Sequence, residues 1–137
     1  MNKSNLYRLD QEIQDECLEN ALKKYYKDKT NGNYFLVQDV LDYMKPSEKC
    51  IFKNFVHAVS DGDINLVTMF EETGINIFKD DNKAFKLAVL KGYINIIEFF
   101  LSKGADINII DNELITHNIQ RGRCQVIEVL RKYGAKI

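Results

Sequence analysis

The sequence has no tryptophan, one proline (Pro46), only two histidines and three scattered cysteines. A single proline among many Leu, Ile, Lys, Glu and Asn favours helices over a sandwich or barrel. The cysteines, Cys17, Cys50 and Cys124, are odd in number, widely spaced and free of any CxxC pair. They suggest neither a disulfide framework nor a zinc site, and reduced thiols inside a cell are the simplest account. No apolar run approaches the roughly 18 residues of a membrane span. The opening Met1-Asn2-Lys3-Ser4-Asn5 leads into no apolar signal region, so the expectation is a soluble, unsecreted, intracellular chain. Charge of one sign is missing too, the formal net charge being −1. Nucleic-acid binding needs clustered Lys and Arg to release counterions from phosphates, and no such footprint exists. The local run Lys23, Lys24, Lys27 and Lys29 reads as the solvated end of a helix. With 137 residues, 45% apolar and 28% charged, the chain fits one continuous folded domain.

What is present is a repeat. Gly62, Gly92 and Gly122 stand 30 residues apart, and Gly74, Gly104 and Gly134 keep the same interval. Gly32, the remaining glycine, extends the first ladder backwards by the same step. Apolar positions follow: Val37, Val67, Ile97, Ile127; Val40, Phe70, Phe100, Leu130; Leu36, Leu66, Ile96, Val126; and Tyr34, Ile64, Ile94, Cys124. Ahead of the first ladder, Phe55, Phe85 and Ile115 correspond, as do Val59, Val89 and Ile119. Spacings of three and four within a unit place these residues on one helical face.

Each unit therefore predicts two short helices. In one, Ala84 to Leu90 forms the first helix and Gly92 its left-handed stop, followed by a second helix over Ile94 to Ser102 closed by Gly104. Asp63 is placed to cap a second helix and Ser47 a first one. The polar stretch Phe78-Lys79-Asp80-Asp81-Asn82-Lys83 reads as a turn that juts sideways. Such a pair cannot bury its apolar face alone, and stacking supplies the continuous core.

The segment Gly92-Tyr93-Ile94-Asn95-Ile96-Ile97-Glu98-Phe99-Phe100-Leu101-Ser102-Lys103-Gly104-Ala105-Asp106-Ile107-Asn108 resembles the ankyrin repeat pattern G-H-x-x-x-V-x-x-L-L-x-x-G-A-D-I-N. Gly62 to Ile77 and Gly122 to Ala135 resemble it as well, so the likeness covers about residues 52 to 137. It departs in period, 30 rather than the family's 33, and in lacking the T-P-L-H signature. Short Asn/Ile/Lys-rich units of this kind are similar to those in ankyrin families of giant DNA viruses of amoebae. The resemblance implies an all-α ankyrin-repeat solenoid of stacked helix-turn-helix units. Three repeats would fall at about 48–78, 79–108 and 109–137. Residues 1–47 would form an N-terminal helical cap, a degenerate unit with Leu18, Ala21, Leu22 and Tyr25 on one face.

Chemistry is sparse. His57 and His117 occupy equivalent positions two units apart, too distant for a metal site or an acid–base pair. Cys124, in register with Ile64 and Ile94, reads as a buried small hydrophobe. Asp80-Asp81-Asn82 lacks the alternating ligands, central glycine and closing Glu of a calcium loop. No catalytic residue, metal ligand or cofactor is expected, and no enzymatic activity.

The ankyrin resemblance implies protein binding through a concave face of first helices and projecting turns. The residues this points to are Ser60, Asp61, Leu90, Lys91, Gln120 and Arg121 on helix ends, and Lys79, Asp80, Asp81, Asn82, Asp111, Asn112 and Glu113 in turns. Leu90 is either an apolar anchor for a partner or a residue packed on Phe85 and its neighbours. The expected role is that of a monomeric interaction module, a viral adaptor or decoy for a host-cell protein. The alternative is a structural or self-assembling repeat fragment.

Overall fold

The computed structural model describes the backbone of residues 3–137 and the side chains from residue 10 onward. Among the described residues the chain is all-α, with eight α-helices, one 3-10 turn and no strand. It divides into two compact units, 1–53 and 54–137.

The first unit holds α1 (Lys3–Lys27), α2 (Asn31–Tyr43) and the opening turns of α3 (Glu48–Asp61). Helix α1 packs on α2 through Leu18, Ala21, Leu22 and Tyr25, all buried, against a face that includes Val37. Thr30 caps α2 by accepting from the Asn33 backbone N–H, which places Asn31–Asn33 in the first helical turn. The connection between α1 and α2 is accordingly short, residues 28–30. Gly32 lies inside that helix and has no left-handed backbone, so it continues the glycine ladder in sequence but not in conformation. Ser47 caps α3, its hydroxyl accepting from the Cys50 N–H. Asp15 holds that cap from below, accepting from the Ser47 hydroxyl at 2.7 Å and the Ser47 N–H at 2.6 Å.

The second unit continues from Asn54 with the rest of α3, then α4 (Ile64–Glu71), α5 (Lys79–Lys91), α6 (Ile94–Ser102), α7 (Asn112–Gln120) and α8 (Cys124–Lys132). A 3-10 turn, Ile107–Ile109, precedes α7. Helix α6 packs against α4, α5 and α8, while α7 packs against α5 and α8. The core is phenylalanine-rich. Phe100 of α6 meets the rings of Phe85 at 5.6 Å, Phe55 at 6.0 Å and Phe78 at 6.3 Å. Phe55, Phe70, Phe85 and Phe100 are completely buried. Each contributes about 1.5–3 kcal/mol by leaving water, and more through tilted and edge-on ring contacts.

Gly62, Gly92 and Gly122 follow α3, α5 and α7 with φ of +74°, +73° and +68°, where a side chain is strained. The chain then turns at once into the next helix. Asp63 caps α4 by accepting from the Leu66 N–H at 3.1 Å. Asp111 caps α7 by accepting from the Leu114 N–H at 2.9 Å.

Helix α5 begins unusually. Asp80, Asp81 and Asn82 all take left-handed conformations, with φ between +57° and +59°, before regular helix resumes. Asp and Asn are the side-chain-bearing residues that best tolerate this region, each at a cost of order 1–2 kcal/mol. The sideways turn expected over 78–83 is thus a left-handed coil leading directly into α5.

Candidate functional site

The left-handed lead-in and α5 form one wall of an open cleft, and α7 forms the other. The cleft holds about 460 Å³ and is lined by Asp80, Asp81, Lys83, Lys86, Leu87, Leu90 and Leu114. Leu87 and Leu90, one turn apart on α5, join Leu114 of α7 as an apolar floor. The rim mixes signs. Lys86 Nζ lies 3.1 Å from Asp81 Oδ2, a solvent-facing pair worth at most about 1 kcal/mol. Such a pair can separate cheaply to meet charges on a ligand.

Leu90 is 41% exposed although Phe85, five residues earlier on the same helix, is fully buried. It forms part of the cleft and does not belong to the core. Asp80 and Asp81 also line this cleft. The other expected contact residues lie outside this lining. Lys91, Gln120, Arg121, Asn112 and Glu113 are exposed, and Lys79, Ser60 and Asn82 are half-buried. Asp61 sits 3.4 Å from His57 Nδ1 across one helical turn. Asp111 is occupied as the α7 cap. Lys83, Lys86, Leu87 and Leu114 were missed. The signal that could have found three of them is the spacing of 83, 86, 87 and 90 on one face of α5.

The position of α7 against α5 is set by polar contacts that the glycine pattern conceals. Asn118, completely buried, donates from Nδ2 to the Val89 carbonyl of α5 at 3.0 Å and to the Leu114 carbonyl at 2.9 Å. Arg123 donates from Nη1 to the Leu90 carbonyl at 2.8 Å and to Asn118 Oδ1 at 3.1 Å. These bonds tie together the helices that carry Leu87, Leu90 and Leu114.

The cysteines divide differently from expectation. Cys124 is exposed, not buried, and lines a shallow cleft with Gly92, Ile94 and Gln125. Cys50 is buried within the first unit, where desolvation, then the Asp15 and Glu19 carboxylates, push its thiol up to about 11. Such a thiol is a poor nucleophile at neutral pH. Among the described residues no group of three His, Cys, Asp or Glu side chains is arranged to hold a metal ion. No helix among them is long and apolar enough to cross a membrane.

No family model, curated protein or solved structure matches the chain.

Proposed function

We propose that the chain is an ankyrin-type protein-binding module that takes a partner's apolar side chain into the cleft between α5 and α7. The observation that carries this reading is the apolar floor of exposed Leu90 and half-buried Leu87 and Leu114 beneath the mixed-charge rim of Asp80, Asp81, Lys83 and Lys86. An apolar centre with a charged rim is the usual anatomy of a protein-recognition patch. It lies where the ankyrin resemblance puts the concave face. The 30-residue recurrence of left-handed glycines after α3, α5 and α7 supports that resemblance. On this reading, residues 1–47 cap the stack and the role is binding rather than catalysis. Action as an adaptor or decoy of viral origin on a host-cell protein rests on the resemblance alone.

The test is Leu90→Glu, which puts a charge into the floor at a residue already 41% exposed, so folding is little affected. Helicity by circular dichroism should match the parent. Affinity capture from extract with quantitative mass spectrometry should lose the partners that the parent recovers, while Glu128→Lys on exposed α8 keeps them. Retention of every partner by Leu90→Glu would place the binding face elsewhere. A self-assembling stack is the second reading, favoured by the half-exposed Ile119 and Tyr133. Concentration-dependent sedimentation without any captured partner would support it instead.

A further inference from the structure

One interface recurs inside the second unit. The Tyr93 hydroxyl donates to the Ser60 carbonyl at 3.3 Å, and its ring lies over Gly62, 3.1 Å from where a Cβ would stand. Thirty residues on, Arg123 donates to the Leu90 carbonyl at 2.8 Å, and its side chain lies over Gly92, 2.6 Å from where a Cβ would stand. Each of these residues stands at the start of the second helix of its pair and reaches back across the glycine that ended the first helix of the preceding pair. Beside these covers, Val59, Val67, Val89 and Ile97 are completely buried.

The same register is repeated once more on the outer side of α7 and α8, uncovered. Gly122 has the same left-handed backbone, and nothing lies within 4 Å of where its Cβ would be. Gln120 occupies the place of Ser60 and Leu90. Ile119 stands in register with Val59 and Val89, yet is 52% exposed. A third contact adds charge: Lys103 Nζ meets Glu71 Oε1 at 3.4 Å, and Arg131 stands where Glu71 does, two steps on.

We infer that the outer face of α7 and α8 is the acceptor half of this interface. Its occupant is a further helix pair of the same kind, carrying a tyrosine or arginine to lie over Gly122 and an acidic residue opposite Arg131. This surface is distinct from the α5–α7 cleft and does not depend on the partner proposed for it. Val59 and Val89 are dry in this register, whereas Ile119, in the same register, is left half-exposed.

The test uses the whole chain with a second copy of residues 108–137 fused after Ile137, which keeps the 30-residue register, glutamate replacing the copied Tyr133. Ile119→Cys, in a Cys124→Ser background, reports coverage through iodoacetamide labelling resolved by peptide mass spectrometry. Labelling at position 119 should be at least about tenfold slower in the extended chain than in the parent. Alanine in place of the copied Arg123 should return a substantial part of that rate, since it removes the side chain over Gly122. Equal labelling in extended and parent chains overturns the inference. So does slow labelling in the parent that deepens with protein concentration, which would make a second copy the occupant.

Discussion

Gly62, Gly92 and Gly122 form a series in which backbone strain and crowding can be separated. All three have φ near +70°, so alanine carries a similar left-handed cost at each, about 1–2 kcal/mol. Alanine also restricts the unfolded chain, which offsets about 0.4–1 kcal/mol of that cost at every site. What differs is the space. At Gly62 the new methyl meets the Tyr93 ring at 3.1 Å, and the ring must shift while holding its bond to Ser60. Overpacking of this kind costs about 1–3 kcal/mol. At Gly92 the methyl would fall 2.6 Å from Arg123 Cδ. That flexible side chain can move away, but in doing so it gives up its bonds to the Leu90 carbonyl and Asn118, a loss of about 1–3 kcal/mol. At Gly122 nothing is met. The expected losses are therefore about 0.5–1 kcal/mol for Gly122→Ala and about 2–4 kcal/mol for Gly62→Ala and Gly92→Ala. Urea unfolding followed by circular dichroism reads these as shifts of midpoint at constant slope. If Gly122→Ala costs as much as the other two, the contribution of Tyr93 and Arg123 is refuted and only backbone conformation matters.

Asn118→Ala removes a completely buried side chain that makes three hydrogen bonds, and should destabilise by about 2–4 kcal/mol, although alanine is what Ala58 and Ala88 supply in the same register. Arg123→Ala should lose less in an Asn118→Ala background than alone, which a double-mutant cycle by urea denaturation will show. Because the folded Cys50 thiol titrates at about 11 and an unfolded one near 9, the unfolded state releases its proton first as pH rises. Stability should hold below pH 9 and fall between pH 9 and about 11, and Cys50→Ala should flatten that part of the profile measured by thermal melts.

Where local chemistry decides the structure, the sequence was legible. Ile94–Ser102 is a helix with the expected bounds, and Asp63 and Ser47 cap as their spacing requires. Six of the glycines take left-handed backbones. Gly32 does not, because Thr30 caps α2 and draws the glycine into a helical turn, a local bond that periodicity cannot weigh. Cys124 was misjudged for a different reason. Its register mates Ile64 and Ile94 are themselves only half-buried, so equivalence to them does not bring burial. The clasp from residue 93 to 60, and from 123 to 90, was hidden because its members differ in kind, Asp63, Tyr93 and Arg123. Only the first caps its own helix, and the other two reach backwards.

That substitution has a consequence for the cleft. Asn118 and Arg123 fasten α7 to the carbonyls of Val89 and Leu90, at the C-terminal end of α5. Leu114 hangs from the same fastening, because its carbonyl accepts the second Asn118 proton. The apolar floor thus consists of Leu87 and Leu90 on one helix and Leu114 on another, held in mutual position by directional bonds as well as by packing. An alanine at position 118, as in the preceding pairs, would leave α7 positioned by apolar contacts alone, which resist sliding less than bonds to fixed carbonyls do. The buried polar residue costs stability unless every bond is made, and its return is a cleft of fixed width. Ligand binding and stability should therefore decline together in Asn118→Ala, whereas Leu90→Glu should lose binding while stability is kept.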